Sequence, residues 1–166
     1  EMIANDDTIT TSVVTNGIGR HLQRYSPLDQ INKENVKGLL PALHRLAEGI
    51  RKRSGLEVTV DGEAGDLPPV IELTLYRVVQ EALSNVVRHA NASEAWVRLW
   101  KSENRILCSV RDDGTGFRPA EHDSDRRYET GLGLVGISER VDSLGGDCHV
   151  LSGDREGMEL IVGIPL

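Results

Sequence analysis

The chain has 166 residues and a formal net charge of −7, a length that fits one domain of ordinary size plus an appendage and disfavours multi-domain readings. Its 19 Lys and Arg residues are outnumbered by 26 Asp and Glu and form no run longer than Arg51-Lys52-Arg53, which argues against a nucleic-acid module with its basic patch and limits any bound phosphate to a small ligand. No apolar stretch approaches the ~20 residues of a membrane span and no signal-peptide pattern opens the chain, so the sequence reads as a cytoplasmic piece without membrane contact.

Residues 1–33 are rich in Thr, Asn, Asp and Ser, and Tyr25-Ser26-Pro27-Leu28-Asp29 reads as a turn, so little regular structure is expected there and residues 1–37 are set apart as an irregular N-terminal segment. From Val36 the pattern becomes helical. Leu39, Leu43, Leu46, Ala47 and Ile50 share one face, Ser54-Gly55 ends the run, and Pro41 either opens the stable part of the helix or kinks it. Leu56 to Val60 reads as a strand closed by Asp61-Gly62, and Pro68-Pro69 opens a second helix that should run to Ala90.

Along that second helix, about 100° per residue places Leu75, Val79, Ala82, Leu83, Val86 and Ala90 on a burying face. Glu81, Asn85, Arg88 and His89 fall on the opposite arc. A carboxylate and an amide one turn apart, with two basic groups beside them, suit a divalent metal and phosphates. The alternative is an ordinary solvent-facing stripe, and His89 reads equally as a phosphate donor or a hydrogen-bonded surface histidine.

Ala95–Trp100 and Arg105–Arg111 alternate as a hairpin around Ser102-Glu103-Asn104. Asp112-Asp113-Gly114-Thr115-Gly116-Phe117 follows at the mouth of the sheet. Asp112 there can accept a hydrogen bond from an exocyclic amine and so prefer adenine over guanine, with Gly114 and Gly116 letting the backbone approach a flat base. Alone, the motif reads as well as a solvated Asp-Asp-Gly turn. Residues 118–130 are charged and nearly devoid of apolar side chains, the composition of a mobile loop.

Leu134, Val135, Ile137, Val141 and Leu144 form another amphipathic helix ended by Gly145-Gly146. Gly131, Leu132, Gly133 and Leu134 lie at its start, where free N–H groups and the dipole attract phosphate. The same letters satisfy GxGxxG through Gly136, but Ser124 to Thr130 is no buried strand, so a dinucleotide turn is rejected. Cys148–Ser152 and Met158–Ile164 close the chain as a hairpin. Cys108 and Cys148 lack CxxC or zinc spacing and read as buried free thiols of a reducing compartment. The element order predicts an α+β two-layer sandwich, a mixed sheet covered on one face by helices.

Taken in order, Asn85 to His89 as NxxxH on a helix, Asp112 to Phe117 as DxGxGF after a strand, a charged loop and GLGL opening a helix resemble the ATP-binding domain of the histidine kinase, gyrase, Hsp90 and MutL superfamily. The resemblance covers about residues 38–166. Tyr76 to Ala92 and Gly131 to Gly146 are most similar to sensor histidine kinases that partner LuxR-type response regulators. It implies Mg-ATP as ligand, with Asn85 the Mg²⁺ ligand, Asp112 the adenine-reading carboxylate, and Gly114 and Gly116 the base-pocket glycines. Gly131 and Gly133 become phosphate-loop glycines, 118–130 the ATP lid, and Glu81 the acidic residue that helps activate the nucleophile. The implied chemistry is phosphoryl transfer from ATP to a histidine. Neither His21 nor His44 lies in an acceptor context, so the acceptor is expected on a separate or missing dimerisation domain, serving a response regulator, and the chain is not competent alone. Full-length kinases of this kind can be membrane-anchored. The rivals are an anti-sigma-factor-type serine kinase, disfavoured by the Leu39–Arg53 helix, and a non-catalytic ATP-responsive module. Residues 1–40 resemble the opening of pyrroloquinoline-quinone alcohol dehydrogenases without their propeller, which suggests a fused, loosely packed N-terminus.

Overall fold

Six strands form a single sheet in the order β1-β5-β6-β4-β3-β2, in a computed structural model that describes residues 10–11, 38–116, 132–152 and 156–166. The elements are β1 (Thr10–Thr11), α1 (Leu39–Ser54), β2 (Glu57–Gly62), α2 (Pro69–Asn85), a π turn (Val86–Ala90), β3 (Glu94–Ser102), β4 (Arg105–Asp112), α3 (Leu132–Asp142), β5 (Asp147–Ser152) and β6 (Met158–Pro165). β2 and β3 run parallel with α2 as their crossover, while every other pairing is antiparallel. The expected mixed sheet and α+β class are observed. Beyond β1, residues 1–37 lie outside the described residues, as does the 118–130 loop.

Pro41 does not kink α1: it sits in the first turn, where its missing N–H has no intrahelical partner to lose. Gly55 closes the helix in the left-handed conformation, its N–H donating to Arg51 O at 2.9 Å. α2 opens with Pro69 at the first helical position, and Pro68 O accepts the N–H groups of Ile71 and Glu72.

Period-two alternation sends Ala95, Val97 and Leu99 of β3, and Ile106, Cys108, Val110 and Asp112 of β4, to the side buried under the helices. Leu75, Val79, Ala82, Leu83 and Val86 meet them from above, all buried as the helical period requires, with Ala90 packed at the margin. Each fully buried Leu such as Leu75 or Leu83 contributes about 1.5–3 kcal/mol. The opposite face carries Trp96, Arg98 and Arg111, all exposed. Cys108 is buried, its thiol pushed up to about 12 by desolvation. Cys148 departs from expectation because it lies on β5 near the margin of the sheet and is only half-buried, with desolvation and Asp142 pushing its thiol up to about 11.

Candidate functional site

The sequence period predicts an unbroken helix to Ala90, but the α-helix stops at Asn85 and continues as the π turn. A π turn advances each residue by less than an α-helix does, so Arg88 and His89 do not keep the 100° phase that put them above Asn85. Both are exposed on that turn. Glu81 and Asn85 remain on the α-helical part, one turn apart and half-buried.

What lies over this pair is the start of α3. A Cβ built on Gly133 would stand 2.6 Å from Asn85 Nδ2 and 2.9 Å from Glu81 Oε1, so the backbone of α3 lies against the ends of both side chains, and a larger residue there would displace them. The first turn of α3 has no acidic residue to neutralise its N-terminal dipole. A carboxylate, an amide oxygen and a helix N-terminus therefore converge where an anion and a cation could be held together. Leu134 is half-buried against the core. Gly131 lies outside the described residues, as does the side chain of Leu132.

Asp112 arrives from the other layer. Strand parity turns it inward with Val110, and it is 1 % exposed. Its Oδ1 accepts the Gly114 N–H at 2.8 Å, and the Met158 N–H also donates to the carboxylate. Desolvation raises its pKa despite these two bonds, with Asp113 adding to the rise and Arg111 opposing it. Gly157 backs it so closely that a Cβ there would run into the Asp112 carbonyl. A buried carboxyl with unused acceptor capacity at a strand end is suited to reading one donor of a ligand.

The turn after Asp112 is tied to the end of the π turn. Thr115 N–H donates to Ala90 O at 2.9 Å, and a Cβ on Gly114 would lie 2.8 Å from that of Ala90. Gly116 has φ +73°, a left-handed conformation that favours glycine. Sequence reasoning missed Asp113, Thr115 and Gly157 as parts of this joint. Asp113 looked like a solvated turn residue, yet its Oδ1 accepts the N–H groups of Ser93 at 2.8 Å and Glu94 at 2.9 Å. These bonds hold its pKa below the usual carboxylate range, that from Glu94 the more strongly. The spacing between Ser93 and Asp113 carries no local signal of the contact.

A groove of about 380 Å³ lined by Asp61–Gly65 and Arg98–Lys101 lies elsewhere; in the β3–β4 register Asp112 stands beside Ala95, toward the other end of β3. Among the described residues no helix is long and apolar enough to cross a membrane.

Residues 70–166 match the family described as histidine kinase-, DNA gyrase B-, and HSP90-like ATPases. The chain is 31% identical over 131 residues to the signal transduction histidine-protein kinase/phosphatase DegS of Brevibacillus brevis, covering 78% of this chain and 33% of that protein. It is 35% identical to UhpB of Salmonella typhimurium, a protein of the same description, over 92% of this chain and 29% of the relative. The sensor histidine kinase LiaS of Bacillus subtilis is 32% identical over 78% of this chain and 35% of its own length. The chain thus spans about a third of these relatives. Among solved structures, the histidine kinase domain of the blue-light activated kinase from Erythrobacter litoralis EL346 superposes with a TM-score of 0.61 at 27% identity, covering 77% of this chain and 61% of that one.

Proposed function

This chain belongs to the family of histidine kinase-, DNA gyrase B-, and HSP90-like ATPases and is an ATP-binding catalytic domain of the sensor histidine kinase type; from that premise we propose how its residues bind Mg-ATP and which partners it serves. The adenine lies against Asp112, Gly114 and Gly116, and the phosphates run toward Asn85 and the start of α3 with Gly131, Leu132, Gly133 and Leu134. The single observation that carries this reading is the approach of Gly133 to Asn85 and Glu81, which joins the two motifs that were far apart in sequence.

Among the described residues no group of three or more His, Cys, Asp or Glu forms a metal cage. That fits Mg²⁺, which commonly takes one or two protein ligands and fills its shell with phosphate and water. Asn85 would hold it, and the ion would neutralise phosphate charge when bound. Glu81, beside Asn85, would accept the proton of an attacking imidazole, whereas Arg88 and His89, out of that phase on the π turn, are left without a role at the phosphates in this reading. The γ-phosphoryl group passes to a histidine on a dimerisation domain, the bond to the β-phosphate oxygen breaks, and ADP leaves.

The partners of the whole protein are then that histidine-bearing domain and a response regulator, of the LuxR-type class by the likeness of residues 76–92 and 131–146. The alignment with UhpB covers 92% of the chain and so reaches into residues 1–37, which supports a kinase origin for part of that segment over the dehydrogenase resemblance.

Calorimetric titration with ATP and GTP, each with and without Mg²⁺, tests the site. Mg-dependent binding of ATP over GTP is expected, and radiolabel should then move from ATP to an added histidine hairpin. Absence of nucleotide binding would overturn the reading; binding without transfer to any hairpin would leave an ATP-responsive module.

A further inference from the structure

We propose that Asp113 is a positioning residue of this nucleotide site, pinning the segment after the Asn85 helix to the turn that carries Asp112. The proposal rests on the ATP reading above and adds a residue to it. Only Asn91, Ala92 and Ser93 separate the π turn from β3, and the chain reverses there with Asn91 at φ +50°. Asp113 Oδ1 takes the Ser93 and Glu94 N–H groups at 2.8 and 2.9 Å, across 20 and 19 residues of sequence. Its own N–H donates to Glu94 O at 3.2 Å, and Thr115 N–H caps Ala90 O next to it.

The consequence is geometric. Asn85 and Asp112 belong to different layers, and one nucleotide must reach both. The distance between them is transmitted through the link 91–93, whose far end is held by Asp113. Asp113 is exposed and is no part of the hydrophobic core, so its contribution lies in these bonds more than in packing. Two bonds to an ionised acceptor are among the stronger polar contacts available to a surface residue.

Both bonds end on one oxygen, which makes a sharp comparison possible. Asn supplies that acceptor oxygen, whereas Ala supplies none. In the full chain, Asp113→Ala should weaken Mg-ATP binding about tenfold, the scale of one or two lost hydrogen bonds, and narrow the preference for ATP over GTP. Asp113→Asn should stay within about threefold of the unmodified protein, since only charge assistance is lost. A merely structural role would lower the unfolding temperature and leave affinity and base preference alone. Unchanged ATP affinity in a folded Asp113→Ala, or equal damage from Asn and Ala, would overturn the proposal. Failure of the unmodified chain to bind ATP would instead sink the ATP reading itself. Hydrogen exchange on the unmodified chain gives a test independent of folding: by reciprocity, ATP must slow exchange of the Ser93 and Glu94 amides, and unaltered rates in the ATP-bound protein would refute the role.

Discussion

Asp112 and Asp113 are neighbours whose environments move them in opposite directions. Desolvation raises the pKa of Asp112, while the Glu94 and Ser93 N–H groups lower that of Asp113. Asp112 therefore adds most to stability below its unfolded pKa and loses that contribution as pH rises through the folded value. Asp113 contributes above its unfolded pKa and loses it as pH falls through the folded one. On the proposed reading Asp112 accepts from adenine as a carboxylate, so ATP affinity should fall as pH drops through the raised pKa of Asp112. Asp112→Asn should flatten that dependence and weaken ATP about ten- to a hundredfold at neutral pH, because an amide offers a donor as readily as an acceptor. Titrations of both proteins across the carboxylate range would show it; a parallel pH profile in the variant would remove Asp112 from base reading. Asn85→Ala should weaken Mg-ATP far more than metal-free ATP, and equal loss in calorimetry would make Asn85 structural. The burial of Asp112 was legible because strand parity turns it inward with Val110, although the Asp-Asp-Gly letters alone read as well as a solvated turn. Asp113 was not, since its partners lie about twenty residues away and nothing in a local window marks them.

At the scale of elements, the strands were readable because burial follows period two: Ala95, Val97 and Leu99 point one way and Trp96 and Arg98 the other. The end of α2 was not readable, because Val86 stays buried in phase and the π turn inserts its extra residue per turn without changing composition. The packing of α3 on α2 gives a paired prediction from two glycines of one helix. Gly133→Ala puts a methyl against the amide end of Asn85 and the carboxylate end of Glu81, so those flexible ends must turn aside; nucleotide binding should weaken strongly, while stability changes by less than about 1 kcal/mol because the gain in helix propensity offsets the crowding. At Gly136 no atom lies within 4 Å of a built Cβ, and Ala there should gain about 0.5–1 kcal/mol from helix propensity while ATP binding persists. Urea unfolding and ATP titration of the two variants separate these outcomes, and equal effects would break the link between α3 packing and the site.

Across the whole molecule, local sequence accounts for adjacency but not for the full strand order. The β3–β4 and β5–β6 hairpins follow from short turns, and β2 parallel to β3 follows from α2 between them. The meeting of β4 with β6 is decided by which apolar faces the helices can cover together, a global fit that joins Asp112 to Met158 and Gly157. The buried cluster that results runs from Leu39 to Ile164, and every described member of the proposed nucleotide site lies inside that span. Among the described residues ahead of Gly38, β1 pairs two residues with the outer edge of β5. Residues 38–166 alone should therefore unfold cooperatively near the midpoint of the full chain and bind Mg-ATP with the same affinity. ATP at a hundredfold excess over its Kd should stabilise both forms by about 2.7 kcal/mol. Thermal melts with and without Mg-ATP check this directly. A shortened chain that melts without cooperativity, or that ATP fails to stabilise, would mean that residues 1–37 complete the core, and the boundary at residue 38 would have to be abandoned.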